Sequence, residues 1–281
     1  MTFSKRLGIE PRDKPLQLKS IDKDLMNSLW NLFYTKVLKH IASDEYDDYN
    51  EYAIEQFRLD FAIKLTKYQV DEMPPTYFGL KKSIKEYFFK TTWNKVYELI
   101  EFYFDKDYVA EGYLDEIDNV LQIEFSGYRV INMQITPISN DLEVDSIKNA
   151  LESGFNFTGF EGVNIHLSKA LKFLSDREHP DYGNSIKESV SAVESATKKL
   201  TGETTLGNAL NKLEKSGIEI NNQLKESFNK VYAFSNDKNS GIRHAVVENH
   251  KPADFETAQY LLVTSSAFIN YLISLSRKTQ I

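Results

Sequence analysis

Hydrophobic positions recur at helical spacing along most of the chain. Ser20 or Asp22 can cap a helix in which Leu25, Leu29, Leu32, Phe33, Val37 and His40 share one stripe to about Lys39. Ile54, Phe57, Phe61 and Leu65 predict a second helix over 51–67. Asp71-Glu72-Met73-Pro74-Pro75 stops it, because each proline lacks an N–H donor and biases its predecessor away from helix. Helices are expected near 78–88, 91–104 and 108–124, the middle one carrying Trp93, Val96, Leu99, Ile100 and Tyr103. The period then changes. Tyr128-Arg129-Val130-Ile131 and Gln134-Ile135-Thr136-Pro137-Ile138 read as a small β-hairpin around Asn132-Met133, although a two-residue turn more usually holds Asn-Gly.

Asp141 to Ser153 returns to helix, and Gly154-Phe155-Asn156-Phe157-Thr158-Gly159-Phe160 breaks it. A domain boundary falls inside 139–160. The chain is therefore read as mostly α: residues 1–150 form a helical domain with a hairpin, and residues 151–281 a helical bundle. Helices are expected over 161–178, 184–200, 206–215, 221–235 and 254–276. The last carries Phe255, Leu261, Leu262, Phe268, Ile269 and Leu272 on most of its sides. Such a helix is central to its bundle or also covers a partner.

Charge narrows the classes of partner. The net −7 lies in residues 1–150, with 19 basic against 26 acidic residues, while 151–281 holds 15 of each. No broad cationic surface is expected, so any contact with RNA requires a local site or one made by assembly. The aromatic residues of the first half read as helix-face core rather than a base-stacking platform. Cysteine is absent, which excludes disulfides and Cys-based zinc sites and suits a reducing cytosol. The basic start, Met1 to Pro15, lacks the apolar core of a secretory signal. No apolar run is expected to reach the ~20 residues that span a bilayer, since Thr264, Ser265, Ser266 and Asn270 interrupt the candidate from Tyr260 to Leu275. A cytoplasmic protein with no membrane partner is expected.

One segment concentrates chemistry: Gly241-Ile242-Arg243-His244-Ala245-Val246-Val247-Glu248-Asn249-His250, between the last two helices. Arginine is always cationic, grips two phosphate oxygens in a fork and stabilises charge on a pentacoordinate phosphorus. Histidine titrates near neutrality and can take a proton from a ribose 2′-hydroxyl or give one to a leaving 5′-oxygen. In a helix, Arg243 and His250 would share a face ~10 Å apart along the axis. Other roles are open to the same residues: Arg243 and His244 can cap the preceding helix or pair with Glu248, and His250 can be a solvated loop residue. His40, His166 and His179 match no ligand spacing, and no Walker, dinucleotide, zincin or nucleophile-elbow motif is present. The acidic run Asp44 to Glu51 lacks the EF-hand arrangement and reads as a solvated loop.

An arginine followed after four to six residues by a histidine is the pattern of HEPN domains, and here His244 fills the polar position after Arg243. Asn184 to Ser195, Thr205 to Leu210, Gly241 to Ala245 and Ser266 to Leu272 resemble the HEPN branch found in AbiJ abortive-infection proteins. Phe3-Ser4-Lys5-Arg6, Leu16-Gln17, Leu29-Trp30-Asn31 and Gly127-Tyr128-Arg129-Val130 resemble the type-4 N-terminal domain that precedes HEPN there. The resemblance covers nearly the whole chain. It implies an anti-phage defence effector that cleaves RNA without metal or cofactor. Arg243 would hold the phosphate, His250 would serve as general base or acid, and His244 would assist. Glu194 or Ser189, on an earlier helix, is the implied supporting polar residue, with Asn249 beside the motif. A homodimer sharing one cleft is implied, with a phage or host trigger or an antitoxin as a further partner. The competing reading is a catalytically inactive HEPN module that binds RNA, a nucleotide or a protein.

Overall fold

The computed structural model describes residues 15–42, 51–156, 158–176, 179–203, 205–217, 220–236, 242 and 253–278. Two compact units divide the chain between Ser139 and Asn140. The architecture is mostly α with one small antiparallel hairpin.

In the first unit, the Asp22 carboxylate accepts from Leu25 N at 2.8 Å and opens α1 (Lys23–Phe33). The helix continues through a π-helical stretch, Tyr34–Leu38, and a last turn, Lys39–Ile41. A π turn inserts a residue and rotates everything after it. Leu38 and Ile41 are therefore buried and His40, expected on the apolar stripe, is exposed. Likewise α2 (Glu51–Leu59) passes into a π stretch, Asp60–Thr66, and ends at Lys67, which sits left-handed at φ 60°.

Next comes α3 (Tyr77–Lys90), capped by the Thr76 hydroxyl. A side chain at Gly79 would lie 2.6 Å from Pro74 Cβ, so the chain packs there only as glycine. Then follow α4 (Trp93–Phe102) and α5 (Tyr113–Ile123). The last begins later than the expected residue 108, because Gly112 holds a left-handed φ of 79° at its N-terminus. The acidic run 43–50 lies outside the described residues.

The hairpin pairs β1 (Arg129–Ile131) with β2 (Gln134–Thr136), with Val130 opposite Ile135. Asn132 and Met133 both have positive φ, 49° and 59°. This is the I′ signature, which matches the twist of the strands even though methionine favours the left-handed region little. The hairpin's base is tied to the start of the chain: Gln17 forms a parallel bridge with Ser126, donating to Phe125 O and accepting from Gly127 N. The Gln17 side chain accepts from Asp22 N at 2.7 Å and donates to Glu124 O at 2.8 Å. Aromatic rings fill the interior: Phe57 stacks on Tyr103 at 4.6 Å and 8°, and Phe33 meets Tyr103 edge-on at 5.5 Å.

The second unit comprises α6 (Asp141–Asn156), α7 (Glu161–Ser175), α8 (Tyr182–Thr201), α9 (Leu206–Lys215), α10 (Asn222–Asn236) and α11 (Phe255–Lys278). Several boundaries differ from the sequence reading. α6 runs through Gly154, and the left-handed residue past its end is Gly159 at φ 91°. α7 stops at Ser175 rather than 178, because Asp176 turns out of the helix and its carboxylate accepts from His179 N at 2.8 Å. α8 starts at Tyr182, with Asp181 capping Asn184 N at 2.9 Å.

Packing places α8 between α7 and α11. α11 also packs on α6, where Asn270 donates to Ser146 O at 2.8 Å and Gln259 to Glu143 at 2.8 Å. Contrary to the expectation of no spanning run, Phe255–Arg277 is long and apolar enough to cross a membrane. Half of its most apolar stretch is buried within the unit, and the serines taken as interruptions, Ser265 and Ser266, are buried with it. Small hydroxyls fit between closely packed helices, so they do not break the apolar character of the segment.

Candidate functional site

In the second unit the connection from α10 to α11 carries the Arg-His segment. Arg243, His244, Asn249 and His250 lie outside the described residues. Its flanks are described. Ile242 is buried, and Asp254 caps α11 by accepting from Thr257 N at 2.9 Å.

On α8 the structure separates the two supporting candidates. Ser189 is fully buried and donates to the carbonyl of Ser185 at 2.8 Å, a bond inside its own helix. Ser185 in turn donates to Ala170 O at 2.9 Å and ties α8 to α7. Glu194 is half-buried, one turn and a half further along. The most deeply buried carboxylate of this helix is neither; it is Glu188, only 6% exposed.

Glu188 Oε2 lies 2.7 Å from His166 Nδ1 on α7, and Oε1 lies 3.3 Å from Lys187 Nζ. Burial alone would raise the Glu188 carboxyl pKa, but the hydrogen bonds from His166 and Lys187 outweigh it and leave it below the usual carboxylate range. Nδ1 is engaged by the carboxylate, and a third of the His166 side chain is open to solvent. The buried carboxylate fixes the orientation of the imidazole across the two helices. Sequence reasoning passed over His166 because its partner is 22 residues away on the next helix. The legible signal was Glu188 itself, an acid between Ser185, Ser189 and Ala192 in a stripe of small residues.

The first unit has its own buried acid. Asp60, at the start of the π stretch of α2, accepts from Tyr108 at 3.0 Å and pairs with Lys64 at 2.6 Å. Burial and the Asp60 carboxylate push the Tyr108 phenol well above its ordinary value. These groups line a 660 Å³ cleft with His40, Gln56 and Lys106. Tyr103 Oη is buried and has no hydrogen-bond partner among the described residues. Asp22, Asp24 and Glu124 bring carboxylate oxygens within 4.8 Å of one another, but Asp22 is engaged as the α1 cap and Glu124 accepts from Ser28 at 3.4 Å.

Comparison with known families bears on this unit. A sequence model of the AbiJ N-terminal domain 4 family matches residues 1–153, more than half of the chain. The chain belongs to that family. No curated protein and no solved structure matches it. Membership in this AbiJ family makes the chain a protein of abortive-infection defence. Two of the segments that suggested AbiJ in the sequence meet in space: Leu16-Gln17 and Gly127-Tyr128 form the tie at the base of the hairpin, where Tyr128 donates to Leu18 O at 2.6 Å. A third, Leu29-Trp30, lies in the core of the same unit. The AbiJ match ends within α6, so residues 154–281, with His166, Glu188 and the Arg-His segment, lie beyond it.

Proposed function

We propose that this AbiJ-family protein is an anti-phage effector whose second unit is a HEPN-type, metal-independent ribonuclease. The observation that carries the reading is the family match over residues 1–153, followed in the same chain by a helical bundle whose α10–α11 connection holds Arg243 and His250. In this reading one histidine takes the proton of a ribose 2′-hydroxyl, whose oxygen attacks phosphorus. The bond to the 5′-oxygen breaks, and that oxygen leaves with a proton from a second acid. The products are a 2′,3′-cyclic phosphate and a 5′-hydroxyl. Arg243 neutralises the phosphorane, and His244 orients the segment. Two protomers sharing a cleft would supply the acid and the base as copies of His250. The first unit responds to a phage or host trigger, and the protein acts in the cytoplasm.

The test is incubation of the full chain with total RNA in EDTA, beside Arg243→Ala and His250→Ala. Cleavage by the parent that both variants lose, with cyclic-phosphate ends, is the expected result. Equal cleavage by all three, or none by the parent under any trigger, overturns the nuclease in favour of a binding-only module.

A further inference from the structure

The outer face of α3 combines exposed aromatic rings with lysines held over rings. At 3.6 residues per turn, Phe78, Lys81, Lys82, Lys85 and Phe89 fall within an arc of about 100°. Phe78 is 63% exposed and Phe89 40%, although α3 buries Tyr77, Leu80, Ile84 and Phe88 on the adjoining face. Lys81 Nζ sits 5.3 Å from the Phe78 ring centroid and 5.6 Å from those of Tyr34 and Tyr77. Lys85 Nζ lies 5.7 Å from the Trp30 ring. Trp30 in turn lies 5.7 Å from Phe89 and stacks on Tyr34 at 6.5 Å. The result is a continuous track along the helix, about 16 Å from Phe78 to Phe89.

Its charge state sets it apart. Among the described residues, neither Lys81 nor Lys85 is in an ion pair. A ring holds an ammonium in place without neutralising it, so the cation remains available to an anion. The acid of this helix, Glu86, pairs with Lys90, and its carboxylate also feels the Lys82 ammonium one turn away. Glu51 and Glu55 border the Phe78 end, and Glu55 is held by Arg58 at 2.7 Å. In a half-chain that is acidic overall, this is a local cationic strip with aromatic ends.

We propose that this face of α3 binds single-stranded nucleic acid, its phosphates on Lys81, Lys82 and Lys85 and its bases stacked on Phe78 and Phe89. A strand backbone offers anions spaced along a line and a π-face at every base, which is the chemistry this track complements. A folded protein partner would also cover the two phenylalanines, but it gives no reason for a line of ammonium groups between them, two of which have no ion pair among the described residues. The inference stands apart from the nuclease reading, since it concerns the first unit alone.

The experiment is fluorescence anisotropy of a labelled oligouridylate with the full chain in EDTA. It is carried out in an Arg243→Ala/His250→Ala background, so that cleavage cannot mimic release. Lys81→Ala/Lys85→Ala is expected to weaken binding at least about tenfold and to lower the slope of log affinity against log salt by about 1.4. Phe78→Ala/Phe89→Ala is expected to weaken binding about tenfold or more with the salt slope unchanged. Lys90→Ala is expected to bind as the background does. All five positions are exposed or half-exposed, so thermal melting should show the variants folded. Equal binding by all variants overturns the proposal, as does loss confined to the lysine pair. Absence of binding, with self-association that Phe78→Ala/Phe89→Ala abolishes in sedimentation, would overturn it in favour of a protein interface. None of these outcomes decides whether Arg243 and His250 cut RNA.

Discussion

His166 Nδ1 and Glu188 Oε2 lie 2.7 Å apart between α7 and α8, joining two consecutive helices through an imidazole and a buried carboxylate. The folded pKa of Glu188 lies below that of an unfolded glutamate, so the pair stabilises the fold when the carboxylate is ionised. That stabilisation is complete above the unfolded carboxylate range, ~4.3, and is lost as pH falls through the folded value. Glu188→Gln is expected to cost about 1–3 kcal/mol at neutral pH. Thermal melts of parent and variant should converge as the pH is lowered below ~4. A Tm difference that stays constant down to acid pH would show that the ionised form of Glu188 contributes nothing.

Tyr103 presents the opposite case, a buried hydroxyl with no partner among the described residues, beneath a stacked Phe57 ring. Burying a polar group without a hydrogen bond is unfavourable. Tyr103→Phe is therefore expected to be as stable as the parent or up to ~1 kcal/mol more so, by chemical denaturation at unchanged m-value. A clear loss of stability would mean that the hydroxyl is satisfied in solution, by water in the protein interior.

Gln17 clamps the entrance of α1 to the end of α5 through Asp22 N and Glu124 O. Gln17→Ala removes both bonds and strands two backbone groups, an expected loss of about 1–3 kcal/mol. Amide exchange should quicken at Asp22, whose N–H loses its acceptor. Exchange at Val130, which donates to Asp118 at 2.7 Å, should change less. Equal acceleration at both would mean that the unit opens as a whole and that the clamp is not local.

Asp181 makes a double contact at the start of α8, accepting from Asn184 N at 2.9 Å and from Asn184 Nδ2 at 2.6 Å. Asp181→Ala should cost ~1 kcal/mol, and Asp181→Ser, which keeps a cap, a few tenths. Because α8 lies between α7 and α11, the effect should appear in the cooperative melt of the second unit. Identical melts for Ala and Ser would remove the cap from the account of how α8 starts.

The helices themselves were legible in the sequence. Leu206 to Lys215 is a helix as expected, and the structure adds its cap, the Thr205 side chain accepting from Asn208 N. The hairpin was legible from the change of period, and Asn132-Met133 was placed correctly as its turn. The AbiJ-type first domain was legible too, from short segments at both of its ends. Helix ends were less so: α5 waits for Gly112 and α7 stops at Asp176, single-residue effects that a stripe of leucines does not report.

Periodicity is a property of neighbours in the chain, so the sequence determined which stretches coil and which face of each is apolar. Only the tertiary structure decided what meets across those faces. It rotated His40 out of the core through a π turn, set Glu188 rather than Glu194 as the buried acid of α8, and lifted Lys81 and Lys85 onto the rings of another helix. The first is a local insertion that the stripe does not report; the other two depend on distance in space between residues far apart in sequence, and burial and charge acquire their energies only at that distance.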